Sequence, residues 1–269
     1  NQKIVEETPS VFVTPELRKD MGEKAVAAAK AVNYIGAGTI EFLVDKNRRF
    51  YFLEMNTRLQ VEHPITEEVV GVDLVKEQIR IANDEVLHLK QEELFQRGHA
   101  IECRICAEDT ENNFMPSPGV IKQLTEPNGI GVRIDSYVYD GYEIPIYYDP
   151  MIGKLIVWAT TRQYAIERMR RVLYEYKITG VKTNLAYLKR IMHVPDFVKG
   201  EYNTLFIEKN ARMLVRTNTT NEELENIAMI AAYMDYLVNL EENVSAQLSD
   251  GRPISRWREF GLQKGVLRI

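Results

Sequence analysis

The sequence predicts an α+β fold, and three observations carry that reading. Helical and strand-like periodicities follow one another along the chain. Two alternating runs at 39–45 and 50–56 flank a polar turn, and short turn-punctuated strands between 99 and 148 lead into helices reaching about residue 211.

The elements follow in order. Thr14 and Pro15 read as an N-cap and first turn, and the spacing of Leu17, Met21, Ala25, Val26, Ala29 and Val32 predicts an amphipathic helix over 14–33 that Gly36 and Gly38 end. The alternating runs joined by Lys46-Asn47-Arg48-Arg49 predict a β-hairpin. A loop through Pro64 then leads to a helix near 73–83. Pro116-Ser117-Pro118-Gly119, Pro127-Asn128-Gly129 and Asp140-Gly141 mark turns in an antiparallel layer. A buried strand at 154–159 precedes a helix at 161–175. Residues 216–220 read as a loop. Leu224, Ile227, Ile230, Ala231, Met234 and Leu237 recur at helical spacing over 222–240, a stripe expected to pack on its own domain or on a partner. Ser255-Arg256-Trp257-Arg258 reads as a docking tail or an ordered end.

Composition narrows the classes. With 269 residues, 45% of them hydrophobic, the chain can bury a sizeable core of one large or two ordinary domains. A formal charge of -5 argues against a broad grip on nucleic acid or on an anionic membrane. The first residues lack the features of a signal peptide and no apolar run is long enough to span a bilayer, so a cytoplasmic setting is expected. Cys103 and Cys106 form a C-x-x-C pair, which invites a redox or zinc reading. In a strand, however, an offset of three points the thiols to opposite faces, and no second pair completes a zinc site, so two inert cysteines are expected.

The hairpin is where chemistry enters. With the turn on 46–49, residues whose numbers sum to about 95 oppose one another, which sets Glu41 against Glu54. Asn56 continues that side, with Leu43 and Phe52 as apolar neighbours. Two opposed acids and an amide suit Mg²⁺ or Mn²⁺, while a solvated hairpin face with ordinary acids is the plainer alternative. Continued alternation places Arg58, Gln60 and Glu62 on one side of an extended segment that Pro64 stops. Arg58 suits bidentate anion binding, Glu62 suits a general base, and His63, on the other side, suits a structural hydrogen bond. Strand alternation puts Glu102 and Arg104 on one face, where a Glu102–Arg104 salt bridge is the structural reading.

The run Glu54-Met55-Asn56-Thr57-Arg58-Leu59-Gln60-Val61-Glu62-His63-Pro64, with GAGTIEF before it and RGHAIECRICAED, PSPG, YYDPMIGKL and GVKTN after it, resembles the biotin carboxylase branch of the ATP-grasp enzymes over residues 1–211. The resemblance implies the C-terminal half of an ATP-grasp domain at 1–95, a biotin carboxylase C-terminal domain of antiparallel sheet plus helices at 96–211, and a helical extension at 212–269. It implies ATP-dependent phosphorylation of bicarbonate, followed by carboxylation of biotin on a carrier protein. By the same resemblance Glu41, Glu54 and Asn56 hold Mg²⁺ or Mn²⁺ at the ATP phosphates, and Lys3 contacts ATP or bicarbonate. Arg58, Gln60 and Val61 cradle bicarbonate, Glu62 deprotonates it, and Arg104 stabilises an enolate-like biotin oxygen. Asp149 lines the biotin end, while Leu43 and Thr204 approach the adenine. The implied partners are a carboxyltransferase subunit, a biotin carboxyl carrier protein and a second copy of the chain, with Ile130 and Arg133 at the dimer interface.

The family's glycine-rich phosphate loop, its lid lysine, its adenine-hinge strand and its preceding α/β domain have no match in these residues, and Asn1 stands where relatives often carry His. The 269 residues alone are therefore expected to be inactive. The tail resembles extensions of biotin carboxylase subunits of acyl-CoA carboxylases more than the minimal acetyl-CoA type; an acyl-CoA (acetyl or propionyl) carboxylase is expected, with pyruvate carboxylase as the alternative. A noncatalytic dimerisation or scaffold module is the competing class. A carbamoyl-phosphate-synthetase-like ligase would keep the metal acids but leave Arg104 and its flanking block unexplained.

Overall fold

The computed structural model describes residues 3–214 and 226–237 of a chain that divides into two compact units, Asn1–Arg216 and Thr217–Ile269. The first unit runs β1 (Val5–Thr8), α1 (Pro15–Ala31), β2 (Thr39–Val44), β3 (Phe50–Asn56), α2 (His63–Val70), α3 (Leu74–Ala82) and β4 (His99–Cys106). Then come the short strands β5 (Glu108–Asp109), β6 (Met115–Pro116), β7 (Gly119–Val120) and β8 (Gln123–Thr125), with β9 (Val132–Ser136) and β10 (Glu143–Ile144) after them. It closes with β11 (Met151–Ala159), α4 (Arg162–Glu175), β12 (Lys177–Thr179), α5 (Leu185–Ile191), α6 (Pro195–Lys199), α7 (Phe206–Lys209) and α8 (Ala211–Leu214).

Local chemistry accounts for several boundaries. The Thr14 hydroxyl accepts from Leu17 N at 3.3 Å to cap α1, the Asp73 carboxylate accepts from Lys76 N at 2.8 Å to cap α3, and Thr161 caps α4 through Tyr164 N at 3.3 Å. Each satisfies a backbone donor that the first helical turn leaves open. At Gly98, with φ +68°, an added Cβ would run into the Ala159 carbonyl, so glycine lets the chain enter β4 hard against the end of β11.

β4 and β11 are the centre of an antiparallel sheet ordered β1-β4-β11-β9. Its two faces differ in kind. Ile101, Cys103, Ile105, Leu155 and Val157 enter the main core with Met169 and Leu173 of α4 and Leu188 of α5. On the other face Ala100 and Ile156 pack under Ile65 and Val69 of α2, beside the polar side chains of the site. Before His99 the buried aliphatic side chains among the described residues are Leu17, Ile65 and Val69. The predicted α1 stripe is therefore not buried as a unit: Val26 and Val32 are exposed.

Three sequence expectations need correction. Residues 57–62 form a bend and a turn rather than an extended strand, with Glu62 at φ -79°, ψ 7°. Pro64 does not stop a strand; it lies in the first turn of α2, a helix not foreseen, where its missing N–H costs nothing. In the hairpin Glu41 does oppose Glu54 and Thr39 opposes Asn56, but a register shift between Glu41 and Phe42 pairs Phe42 with Phe52 and Leu43 with Tyr51. Leu53 is thereby left over, and the one-residue slip carries Phe52 off the face of the acids while Leu43 stays in the row of Glu41.

β1 is an edge strand, and its position depends on Glu7. That carboxylate takes His99 Nε2 at 2.7 Å, Arg162 Nε at 2.7 Å and Nη2 at 3.1 Å, and the Tyr202 hydroxyl. Arg162 also donates to the Phe197 and Val198 carbonyls, each at 2.7 Å, so β1, β4, α4 and the segment after α6 meet at one charge. Burial acts to raise the pKa of Glu7, but the hydrogen bonds from His99, Arg162 and Tyr202 outweigh it and hold the carboxyl below its ordinary value.

In the second unit residues 226–237 are helical, and Ile227, Ile230, Met234 and Leu237 of the predicted stripe are exposed. Residues 216–225, Asn1, the flanks at 238–240 and the tail at 255–258 lie outside the described residues. No helix among the described residues is long and apolar enough to cross a membrane.

Glu7→Gln leaves Arg162 without its counter-charge in a mostly buried setting and should cost about 3 kcal/mol of stability at pH 7. A carboxyl whose folded pKa is depressed stabilises above its unfolded pKa and loses that effect as pH falls through the folded value. The gap between variant and wild type in urea denaturation should therefore narrow below about pH 4.

Candidate functional site

The polar face of the hairpin and the turn that follows it build a bonded array. Glu41 Oε1 accepts from Gln60 Nε2 at 2.6 Å, from Asn56 Nδ2 at 3.0 Å and from Lys3 Nζ at 3.1 Å, while Oε2 also takes Lys3 at 3.1 Å. Asn56 Nδ2 reaches Glu54 Oε1 at 3.3 Å, so one amide bridges the opposed acids. Arg58 donates to Asn56 Oδ1 at 3.2 Å and to the Leu59 carbonyl at 3.1 Å. Two carboxylates across one rung repel by roughly 3 kcal/mol at an effective dielectric near 20, a cost that the donors Lys3, Asn56 and Gln60 on Glu41 offset. Burial raises its pKa, but the Lys3 and Gln60 hydrogen bonds more than offset that and hold the carboxyl below its usual range.

A second knot lies under α2. Arg104 Nη2 donates to Glu62 Oε2 at 2.9 Å, and Glu6 Oε1 lies 2.7 Å from the same nitrogen, an ionic contact with poor hydrogen-bond direction. The expected Glu102–Arg104 salt bridge is therefore corrected: residues two apart on one strand side point alike but need not touch, and carboxylates arriving from β1 and α2 take the guanidinium instead. Glu102 is fully buried directly opposite Glu6 in the sheet, and its carboxyl oxygens have no hydrogen-bond partner among the described residues. Burial, reinforced by Glu6, pushes Glu102 up to about 8; burial pushes Glu6 up to about 7 against the pull of Arg104. Lys154 adds an anchor, donating to the Val61 carbonyl at 3.1 Å and lying 3.3 Å from Asp135.

The fold thus brings Lys3, Glu41, Glu54, Asn56, Arg58 and Gln60 into one array, with Val61, Glu62 and Arg104 in the adjoining knot. Leu43 lies in the row of Glu41 and is 54% exposed. Thr204 and Lys3 line one cavity of about 520 Å³. Asp149 is exposed and accepts from Met151 N at 2.8 Å, a local turn bond that does not join the cluster. His63 Nδ1 lies 2.8 Å from the Gln60 carbonyl, a local structural contact. Arg133 is held by Asp135 and by Glu67 of α2, at 2.8 and 2.7 Å, and Ile130 is almost fully exposed. Sequence reasoning missed Glu6 and Lys154. Lys154 left a signal, a lone cation inside the apolar run of β11; Glu6 left none, because Glu6 and Glu7 put an acid on both faces of β1.

Among the described residues no group of three or more His, Cys, Asp or Glu converges on a metal site. Two opposed carboxylates bridged by an amide nevertheless fit a hard divalent cation that keeps most of its waters, provided Asn56 presents Oδ1, which Arg58 now occupies.

Residues 102–209 match the family described as Biotin carboxylase C-terminal domain, and residues 1–90 match Carbamoyl-phosphate synthase L chain, ATP binding domain. A biotin carboxylase of Nostoc sp. is 56% identical over 209 residues, 78% of this chain and 47% of the relative. A pyruvate carboxylase subunit of Methanothermobacter thermautotrophicus is 56% identical over 212 residues, 79% of this chain and 43% of the relative. The biotin carboxylase domain of Hydrogenobacter thermophilus 2-oxoglutarate carboxylase, a dimer solved with MgADP and bicarbonate, superposes with TM-score 0.79 at 47% identity, covering 81% of this chain and 48% of that one. This chain spans about half the length of the curated relatives it matches.

The two thiols stay apart from all of this. Both are buried and free, Cys103 in the main core and Cys106 on the opposite side of β4, and burial pushes Cys106 up to about 12 and Cys103 upward as well. At pH 8 a chromogenic disulfide reagent should titrate neither thiol in the native chain and both in urea. Rapid reaction of either native thiol would reopen the redox reading.

Proposed function

We propose, from a chain that belongs to the biotin carboxylase family as the C-terminal portion of an ATP-grasp enzyme, that the protein takes part in ATP-dependent carboxylation of biotin carried on a partner protein. The observation that carries this reading is the pair of adjoining knots: opposed acids with Lys3, Asn56 and Gln60 on one side, and Glu62 paired to Arg104 on the other.

In the first step the γ-phosphoryl group of ATP passes to a bicarbonate oxygen, giving ADP and carboxyphosphate. In the second the carboxyl group passes to N1' of biotin and phosphate leaves. Glu41, Glu54 and Asn56 would hold Mg²⁺ or Mn²⁺, which supplies neutralisation of the phosphoryl charge. Lys3, bonded to Glu41, would contact ATP or bicarbonate. Arg58 presents a planar fork of donors and Gln60 an amide, with the Val61 backbone between them and Glu62, which suits a small planar oxyanion. Glu62 takes the bicarbonate proton, and its hydrogen bond from Arg104 aims it. Arg104 stabilises the negative oxygen that develops on biotin as N1' loses its proton. Leu43 and Thr204 line the adenine side, and Asp149 lines the biotin end.

Ile130 and Arg133 are assigned to a homodimer interface, consistent with the dimeric state of the Hydrogenobacter domain. A biotin carboxyl carrier protein and a carboxyltransferase complete the assembly. The final acceptor is an acyl-CoA or a keto acid; the 56% identity to a pyruvate carboxylase component keeps the keto acid as a full alternative.

The full-length enzyme should release phosphate from ATP in a bicarbonate- and biotin-dependent manner, and the 269-residue chain alone should not. In that enzyme Glu62→Gln or Arg104→Ala should lower kcat by about 10²-fold or more; unchanged turnover would remove the assigned roles. Glu54→Gln should shift the Mg²⁺ saturation curve to higher concentration, and coincidence with wild type would remove the metal assignment.

A further inference from the structure

The catalytic reading leaves two buried acids without a task. Glu6 and Glu102 face each other across β1 and β4, and Glu102 is wholly buried without a hydrogen-bond partner among the described residues. The groups packed against them come from four elements: Arg104 on β4, Lys154 on β11, Glu62 at the head of α2 and Lys3 before β1. On the same face α2 packs Ile65 and Val69 against Ala100 and Ile156, and its buried Glu67 is engaged by Arg133, with His63 3.9 Å away.

Two of the four flanking charges are engaged elsewhere. Lys3 is bonded to Glu41, and Lys154 is shared between Asp135 and the Val61 carbonyl. Arg104 is then the cation in contact with this layer, and Glu6 and Glu62 both already touch its Nη2. With Glu102 ionised as well, three carboxylates would face one guanidinium, and an arriving oxyanion would meet a site with excess negative charge. With Glu102 protonated, one of the three competing charges is gone, and the buried Nε of Arg104, without a hydrogen bond among the described residues, is free to donate to an anion.

We propose that Glu6 and Glu102 are positioning residues that hold one proton between them and thereby spare Arg104 one competing carboxylate when the substrate oxyanion arrives. The inference rests on the role given to Arg104 above. Loss of that proton in mildly alkaline solution weakens the hold of Arg104 on its ligand, so the alkaline limb of activity belongs to this pair. The two protons leave in macroscopic steps that belong to the pair rather than to either acid, as expected for carboxyls this close.

The test has a part that needs no catalysis. Carboxyl ¹³C titration of the 269-residue chain, labelled at Glu and assigned by the loss of signals in Glu102→Gln and Glu6→Gln, should show two carboxyls titrating between about pH 6.5 and 8.5 in wild type. Because a carboxyl with a raised folded pKa binds its proton more tightly in the native state, stability should fall as pH rises from about 4.5 to 8, and Glu102→Gln should flatten that fall. In the full-length enzyme the alkaline limb of kcat/KM for biotin should move up by about one pH unit or vanish in Glu102→Gln, while the bicarbonate requirement persists. Ordinary titration of both carboxyls below about pH 5.5 overturns the proposal and leaves the catalytic reading standing. An alkaline limb in Glu102→Gln that overlays wild type also overturns it. Should Glu102→Gln fail to fold, the wild-type titration and the Glu6→Gln profile decide by the same criteria. Absence of bicarbonate-dependent phosphate release from the full-length wild type would instead remove the catalytic reading, whatever the titration shows.

Discussion

Arg104 is held between two carboxylates that reach it from distant parts of the chain, Glu6 on an edge strand and Glu62 at the head of a helix, and the arrangement of the site depends on that contact. It joins the sheet to α2, and α2 begins where the turn carrying Arg58, Gln60 and Val61 ends. Lys154 reinforces the join by holding the Val61 carbonyl from the adjacent strand. The turn therefore has its path set from below by two cations of the sheet and from the side by Gln60 on Glu41.

The division of the sheet into one apolar and one polar face makes this possible. Packing against α4 and α5 gives β4 and β11 a dry core on one side, and that burial supports the cost of charges on the other. Beside its small apolar cluster the polar face carries acids and cations in contact: Arg133 with Glu67 and Asp135, Lys154 with Asp135, Arg104 with Glu6 and Glu62. Glu102 stands out because the layer offers it no direct partner, and a carboxyl in that position is most stable with its proton on. The same face shows why β1 matters. Glu7 binds the edge strand to β4 and α4 from one side, which leaves Glu6 on the other side to meet Arg104, so a structural charge and a functional one share adjacent residues.

Several features were legible from sequence because they are local. The cap at Thr14 depends on a neighbour three residues away, and the opposition of Glu41 and Glu54 depends only on where the hairpin turns. The separation of Cys103 and Cys106 depends on the period of a strand. The course of 57–64 was misread because alternation of polar residues resembles a strand whether or not a sheet edge pairs with it, and among the described residues no strand pairs with 57–64. The slip at Leu53 was invisible for a related reason: a bulge changes which residues are opposed without changing which residue types alternate.

The sequence by itself thus determined the class of fold, the opposed acids of the hairpin and, through a long contiguous motif, the family, because each is encoded in residues close along the chain. Only the tertiary structure decided that Arg104 pairs with Glu6 and Glu62 rather than Glu102, that Lys154 supports the Val61 turn, and that two buried acids face each other behind the site. Those contacts join residues separated by 42 positions for Glu62 and Arg104 and by 93 for Val61 and Lys154. No periodicity spans such distances; they are set by strand order and by where α2 lands on the sheet.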